Sequence, residues 1–162
     1  MEGYWQIITR IAELIIALAA ATAVLFAWKS TKETRKASLA QILMQITDAY
    51  SSPEMLAGML RLHSFKERFQ ENFGGVFAQL RENNYKDIKE IDEARRRYSH
   101  HFYKIWLLFD RGLVNKKFVK KVATHGQVDF LLETIEPLEK AIDPDYDHST
   151  FDFFREIYPE ES

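Results

Sequence analysis

The chain has 162 residues, a formal net charge of -2, 46% hydrophobic and 28% charged residues, and no cysteine. The lack of cysteine excludes disulfides, thiolate metal sites and a thiol nucleophile, and a charge near zero speaks against a general nucleic-acid binder, which would carry a basic face. Twelve Phe, seven Tyr and three Trp are material for a packed core, not for a disordered chain.

The first element is Tyr4–Trp28, YWQIITRIAELIIALAAATAVLFAW. Its uninterrupted apolar part, Ile11–Trp28, holds one charge, Glu13, and at helical rise is about 27 Å long. With Tyr4–Arg10 it reaches about 37 Å, enough to cross a hydrocarbon core of roughly 30 Å. Tyr4, Trp5 and Trp28 stand at its ends, at the headgroup depth that amphipathic rings prefer. A cleaved signal peptide would need a basic start and a small-residue cleavage site, whereas Glu2 precedes this run and Trp28-Lys29 follow it. Residues 1–28 are therefore expected to be an uncleaved transmembrane anchor, with a buried helix of a soluble complex as the rival reading.

No Lys or Arg precedes Arg10, while Lys29, Lys32, Arg35 and Lys36 follow the anchor. The positive-inside bias then predicts the N-terminus outside and the rest of the chain cytoplasmic, at an inner (plasma) membrane. The same four bases are candidate contacts to anionic lipid beyond their role in orientation. Arg10 and Glu13 lie three apart and share a helical face with Gln6. Either Arg10 snorkels to the outer interface, or this polar stripe meets another membrane helix, because charge inside a membrane is costly and usually hidden. Ala19, Ala23 and Ala27 add a small-residue ridge that permits close helix contact. Gln6, Arg10, Glu13, Ala19 and Ala23 are the candidate contacts to other membrane subunits or to a second copy.

Residues 29–50 contain no breaker and are predicted to continue the anchor as one helix. Leu39, Ile42, Leu43, Ile46 and Tyr50 form its apolar stripe. Residues 51–162 are predicted to form a cytoplasmic helical domain. Ser52 is a good N-cap, followed by Pro53 and Glu54, and the helix they open carries Met55, Leu56, Met59, Leu60 and Leu62 toward Phe69. Phe65, Phe69, Phe73 and Phe77 recur every four residues, but Gly74-Gly75 is expected to break the row, leaving a short helix over Val76–Glu82 that ends at Asn83-Asn84.

The central helix is predicted over Lys86–Arg111, with Ile88, Ile91, Arg95, Tyr98, Phe102, Ile105 and Phe109 as a heptad-like seam and Gly112 as its stop. Arg95, within Arg95-Arg96-Arg97, is expected to pair with a carboxylate on a neighbouring helix or to mark where the seam opens to solvent; the alternative is that it holds an anionic ligand or partner. Asn115 caps a short helix over Lys116–Thr124, closed by His125-Gly126. Val128, Leu131, Leu132, Ile135, Leu138 and Ile142 mark another helix, kinked or restarted at Pro137, and a last one spans Ser149–Ile157. No run of period two argues for a strand.

Nothing in this pattern makes a catalytic site, and no cofactor or metal is expected. His100-His101 diverge by about 100° on a helix, and no His–carboxylate pair at ligand spacing stands out around His63, His125 or His148. Asp143, Asp145 and Asp147 copy the first ligands of a calcium loop, but His148 and Phe154 stand where its glycine and glutamate belong.

A basic-flanked anchor, SLAQILMQITDAYSSPEM, and then EARRRYSHHFYKIWLLFDRGLVNKKFV together resemble a loosely defined family of small bacterial membrane-anchored helical proteins of unknown function. The similarity runs from Lys29 to the C-terminus. It implies a bacterial inner-membrane protein with an α-helical cytoplasmic domain, and it transfers no site residue. The expectation is an all-α chain, one transmembrane helix continuing into a cytoplasmic helical bundle. It would act by association as an accessory or scaffold subunit, or as a tethered sensor that binds an anionic ligand, such as a nucleotide, through Arg95, Arg96 and Arg97.

Overall fold

A computed structural model describes residues 2–83 and 85–159; the side chains of residues 2–9, 11, 12 and 87 lie outside the described part, and with them the expectations for Tyr4, Trp5 and Gln6, as does the expected role of Asn84. Among the described residues the chain is all α, without a strand. Its first helix, α1 (Glu2–Tyr50), is long and apolar enough to span a membrane. No glycine or proline interrupts it between Gly3 and Pro53, so nothing breaks its backbone ladder before Tyr50.

The chain divides into two compact units, Met1–Ile42 and Leu43–Ser162. In the first, Arg10 and all residues from Glu13 to Ser38 are exposed. The second holds the end of α1, where Ile46 is buried and Leu43 and Tyr50 are half-buried, as the apolar stripe requires. Among the described residues, seven further helices follow: α2 (Pro53–Phe69), α3 (Phe73–Glu82), α4 (Lys86–Asp110), α5 (Lys116–Val122), α6 (His125–Phe130), α7 (Glu136–Ile142) and α8 (Ser149–Ile157).

α2 starts as its sequence predicts, with the Ser52 hydroxyl accepting from the Met55 amide at 3.2 Å. Only part of its apolar set is buried. Met55, Gly58, Leu62 and Phe65 face inward, while Leu56 and Leu60 are 49% and 69% exposed. Gly58 sets this face, since a Cβ there would stand 3.1 Å from the Ala94 Cβ: α2 meets α4 at its smallest residue. The break after α2 also moves. It falls at Gln70, whose φ of 49° ends the helix, and Gly74-Gly75 lie inside α3 instead of ending it. Gly74 lets α3 approach α7, where an added Cβ would come within 3.2 Å of the Pro137 carbonyl.

α4 crosses the middle of the unit, with Ile88, Arg95, Tyr98, Phe102 and Ile105 of the seam buried. Tyr98 and Phe102 stack at 5.1 Å, and Phe102 meets Phe154 of α8 edge-on at 5.1 Å. Gly112, at φ +66°, turns the chain out of α4. His125-Gly126 do not close α5; they open α6, because the Gln127 side chain accepts from the Thr124 amide and fixes a new helix start. The break at Pro137 takes the form of a π turn over Leu131–Ile135, after which α7 begins at Glu136. The wider turn accommodates a residue that has no N–H to give.

Candidate functional site

Two surfaces and one buried network hold the residues singled out by the sequence. On the first unit, Leu14, Ile15, Ile16, Leu18, Val24, Leu25, Phe26 and Trp28 are all exposed, Phe26 by 78%. At 100° per residue they surround the helix instead of forming a stripe. Thr22 donates its hydroxyl to the Ala19 carbonyl at 2.8 Å and Thr31 to Ala27 at 2.8 Å, so these polar groups are satisfied within the helix. Arg10, Glu13, Ala19 and Ala23 are exposed on this helix, as are Lys29, Lys32, Arg35 and Lys36. Lys32 stands 5.4 Å above the Trp28 ring.

The three consecutive arginines have different environments. Arg95 is buried and faces carboxylates on two sides. Nε and Nη2 donate to Asp92 at 3.0 and 2.7 Å, and Nη1 donates to Glu139 of α7. Arg96 reaches the other Asp92 oxygen at 2.6 Å, and Arg81 of α3 lies 3.7 Å from it. Burial alone would raise the Asp92 carboxyl, but the hydrogen bond and charge of Arg95, with Arg96 and Arg81, hold it below its ordinary value. Arg97 pairs with Glu93 at 2.9 Å and borders a shallow depression of about 350 Å³ with Arg61 and Glu90. Thus Arg95 has the carboxylate on a neighbouring helix that its seam position called for, and its guanidinium is spent within the fold.

A third buried carboxylate, Glu136, extends the network. Glu136 of α7 pairs with Lys140 at 2.8 Å and with Arg155 of α8, which outweigh the cost of its burial and lower its pKa. The ion pairs tie α3, α4, α7 and α8 together.

The larger open site is a groove of about 630 Å³ between α2, α3 and α4. Phe65, Phe69, Leu80 and Ile88 form its apolar wall, and Leu60, Arg61, Arg68 and Tyr85 stand around it. Tyr85 and Leu60 are exposed beside it. Arg61 meets Glu90 at 3.3 Å, with both side chains more than half exposed, and Arg68 lies over the Phe69 ring at 5.3 Å. A groove of this size, apolar with a few polar groups at its edge, suits an apolar side-chain cluster or a small amphiphile. Sequence reasoning missed Arg61, Arg68 and Tyr85, since each reads locally as a solvated residue beside a helix; only the approach of α2 to α4 assembles them.

His101 is buried between Tyr50 and Phe102, with ring centroids at 5.3 Å from each, and its Nε2 is unpartnered within the protein. Burial, with the charge of Lys104, pushes it down to about 4. Asp143 and Asp147 accept from the Asp145 and Ser149 amides at 3.1 and 2.9 Å, which makes their segment a pair of side-chain-capped turns. Among the described residues no group of three or more His, Asp or Glu is placed to hold a metal ion. No family model matches the chain, and no curated protein or solved structure matches it significantly.

Proposed function

We propose that this is a single-pass inner-membrane protein that acts by association, an accessory or scaffold subunit of a larger membrane assembly with its N-terminus outside and its helical domain cytoplasmic. The observation that carries this reading is the first unit: a helix whose apolar residues from Leu14 to Trp28 surround it, none of whose most apolar window is buried by the rest of the chain. Such a surface is stable only in lipid or against other apolar helices. The four bases after Trp28 favour the stated orientation. The polar stripe with Ala19 and Ala23 offers a face for a partner helix, and the groove beside Leu60 and Tyr85 offers one in the cytoplasm. The test is the mass and composition of the protein extracted gently from its native membrane. Co-purifying foreign subunits support the accessory role; a monomer with no partner overturns it.

The groove also favours a second reading, a tethered sensor of an anionic small ligand. Arg61 and Arg68 stand at an open site, whereas Arg95 is already neutralised. A ligand-induced thermal shift lost in Arg68→Ala supports it, and no shift with any anionic metabolite excludes it.

A further inference from the structure

The turn after α4 and the helix that follows it are strongly basic. Between Asp110 and Thr124 the only acid is Asp110, against Arg111, Lys116, Lys117, Lys120 and Lys121, in a chain whose net charge is -2. The structure sorts these charges. Along α5 the four lysines occupy one arc of about 140° and all are exposed, while Val119 and Val122 on the opposite arc are buried in the core. Lys116 meets the exposed Glu156 at 2.5 Å and Lys120 stands 5.6 Å over the Tyr158 ring. Among the described residues, Arg111, Lys117 and Lys121 form no ion pair. Leu113, at the turn between Gly112 and the buried Val114, is 53% exposed.

We propose that this basic edge, Arg111 to Lys121, is a membrane-docking surface that binds anionic phospholipid headgroups, with Leu113 entering the interface. Several features favour lipid over an acidic protein. The cations are mostly lysines, hydrated point charges on mobile stems, without the planar fork that reads a carboxylate at fixed geometry. They line the outward arc of a two-turn helix, a convex shape that suits a fluid sheet of charge. A leucine beside clustered bases is the combination that interfacial binding uses. The inference rests on the anchor proposed above, which would keep the domain at high effective concentration near a bilayer, so that weak contacts suffice.

Because the chain has no cysteine, Leu113→Cys gives one labelling site for an environment-sensitive fluorophore on the full-length protein. The labelled chain is placed in nanodiscs of phosphatidylcholine alone, or of phosphatidylcholine with a minority of phosphatidylglycerol. The expected result is a blue-shifted emission and several-fold protection from an aqueous quencher in the anionic discs only, both lost in high salt. Lys117→Glu with Lys121→Glu should abolish the shift while leaving the circular dichroism and melting temperature unchanged. A probe equally exposed to water in both discs overturns the docking surface and leaves the anchor standing. A chain that enters neither disc overturns the anchor and the docking surface together.

Discussion

Arg95 and Glu139 are 44 residues apart in the chain, yet form an ion pair in which each side chain is only 7% exposed. Asp92, one turn before Arg95, takes the remaining face of the guanidinium. The pair joins the central helix to α7 at a point where a lone charge would be costly, so each partner is held by the presence of the other.

Arg95→Ala should therefore cost about 3–5 kcal/mol, because it strands the buried Glu139 and leaves the buried Asp92 with only Arg96 and Arg81. Arg96→Ala, which removes an exposed donor to the same Asp92, should cost no more than about 1 kcal/mol. Urea denaturation of the full chain in detergent, followed by circular dichroism, measures both. Equal losses would contradict the division of roles.

Stability should fall in two stages on acidification. The folded protein holds His101 near 4 against an ordinary 6.5, so between these values the unfolded chain binds a proton that the folded chain refuses. Stability is then full above pH 6.5 and declines toward pH 4, by roughly 3 kcal/mol. Asp92 and Glu136 act lower: their contribution is intact above their ordinary values of 3.8 and 4.5, and it is lost as pH falls from there through the depressed values of the folded protein. His101→Leu should flatten the upper limb and spare the lower one. Melting temperature against pH reads the difference.

Gly58→Leu should lower stability by about 1–3 kcal/mol or more, since the side chain would have to enter the contact between α2 and Ala94. Leu60→Glu, two residues on but on the exposed face, should change it by no more than about 0.5 kcal/mol. Thermal denaturation of the two variants side by side tests which face of α2 is buried. If the face of Leu56 and Leu60 were the buried one, the order would reverse.

Association makes separate demands on the two units. Arg10→Leu with Glu13→Leu should reduce the mass of the extracted complex without changing the helical content. Leu60→Glu should weaken it through the groove alone. Sizing of gently solubilised protein distinguishes these effects, and an unchanged complex in both variants would remove both faces from consideration.

Local rules were enough wherever one chain segment decides its own state. The long α1 follows from the absence of any breaker, the start of α2 from Ser52-Pro53, and the seam of α4 from alternating spacings of three and four. The extent of α8, Ser149–Ile157, was legible for the same reason, as its apolar residues recur at helical spacing between polar turns. Tertiary structure decided what depends on a neighbour. Leucines alone do not reveal which face of α2 is buried, because the contact is made at Gly58, where a small residue lets two backbones approach. Nor does the sequence show that Gln70, and not Gly74-Gly75, ends the helix, since the cost of its left-handed backbone is borne by the packing on either side. The requirement that Arg95 be neutralised was readable from its seam position; that Asp92 and Glu139 meet it, and that Arg61 and Arg68 border an open groove instead, was set only when α2, α4 and α7 came together.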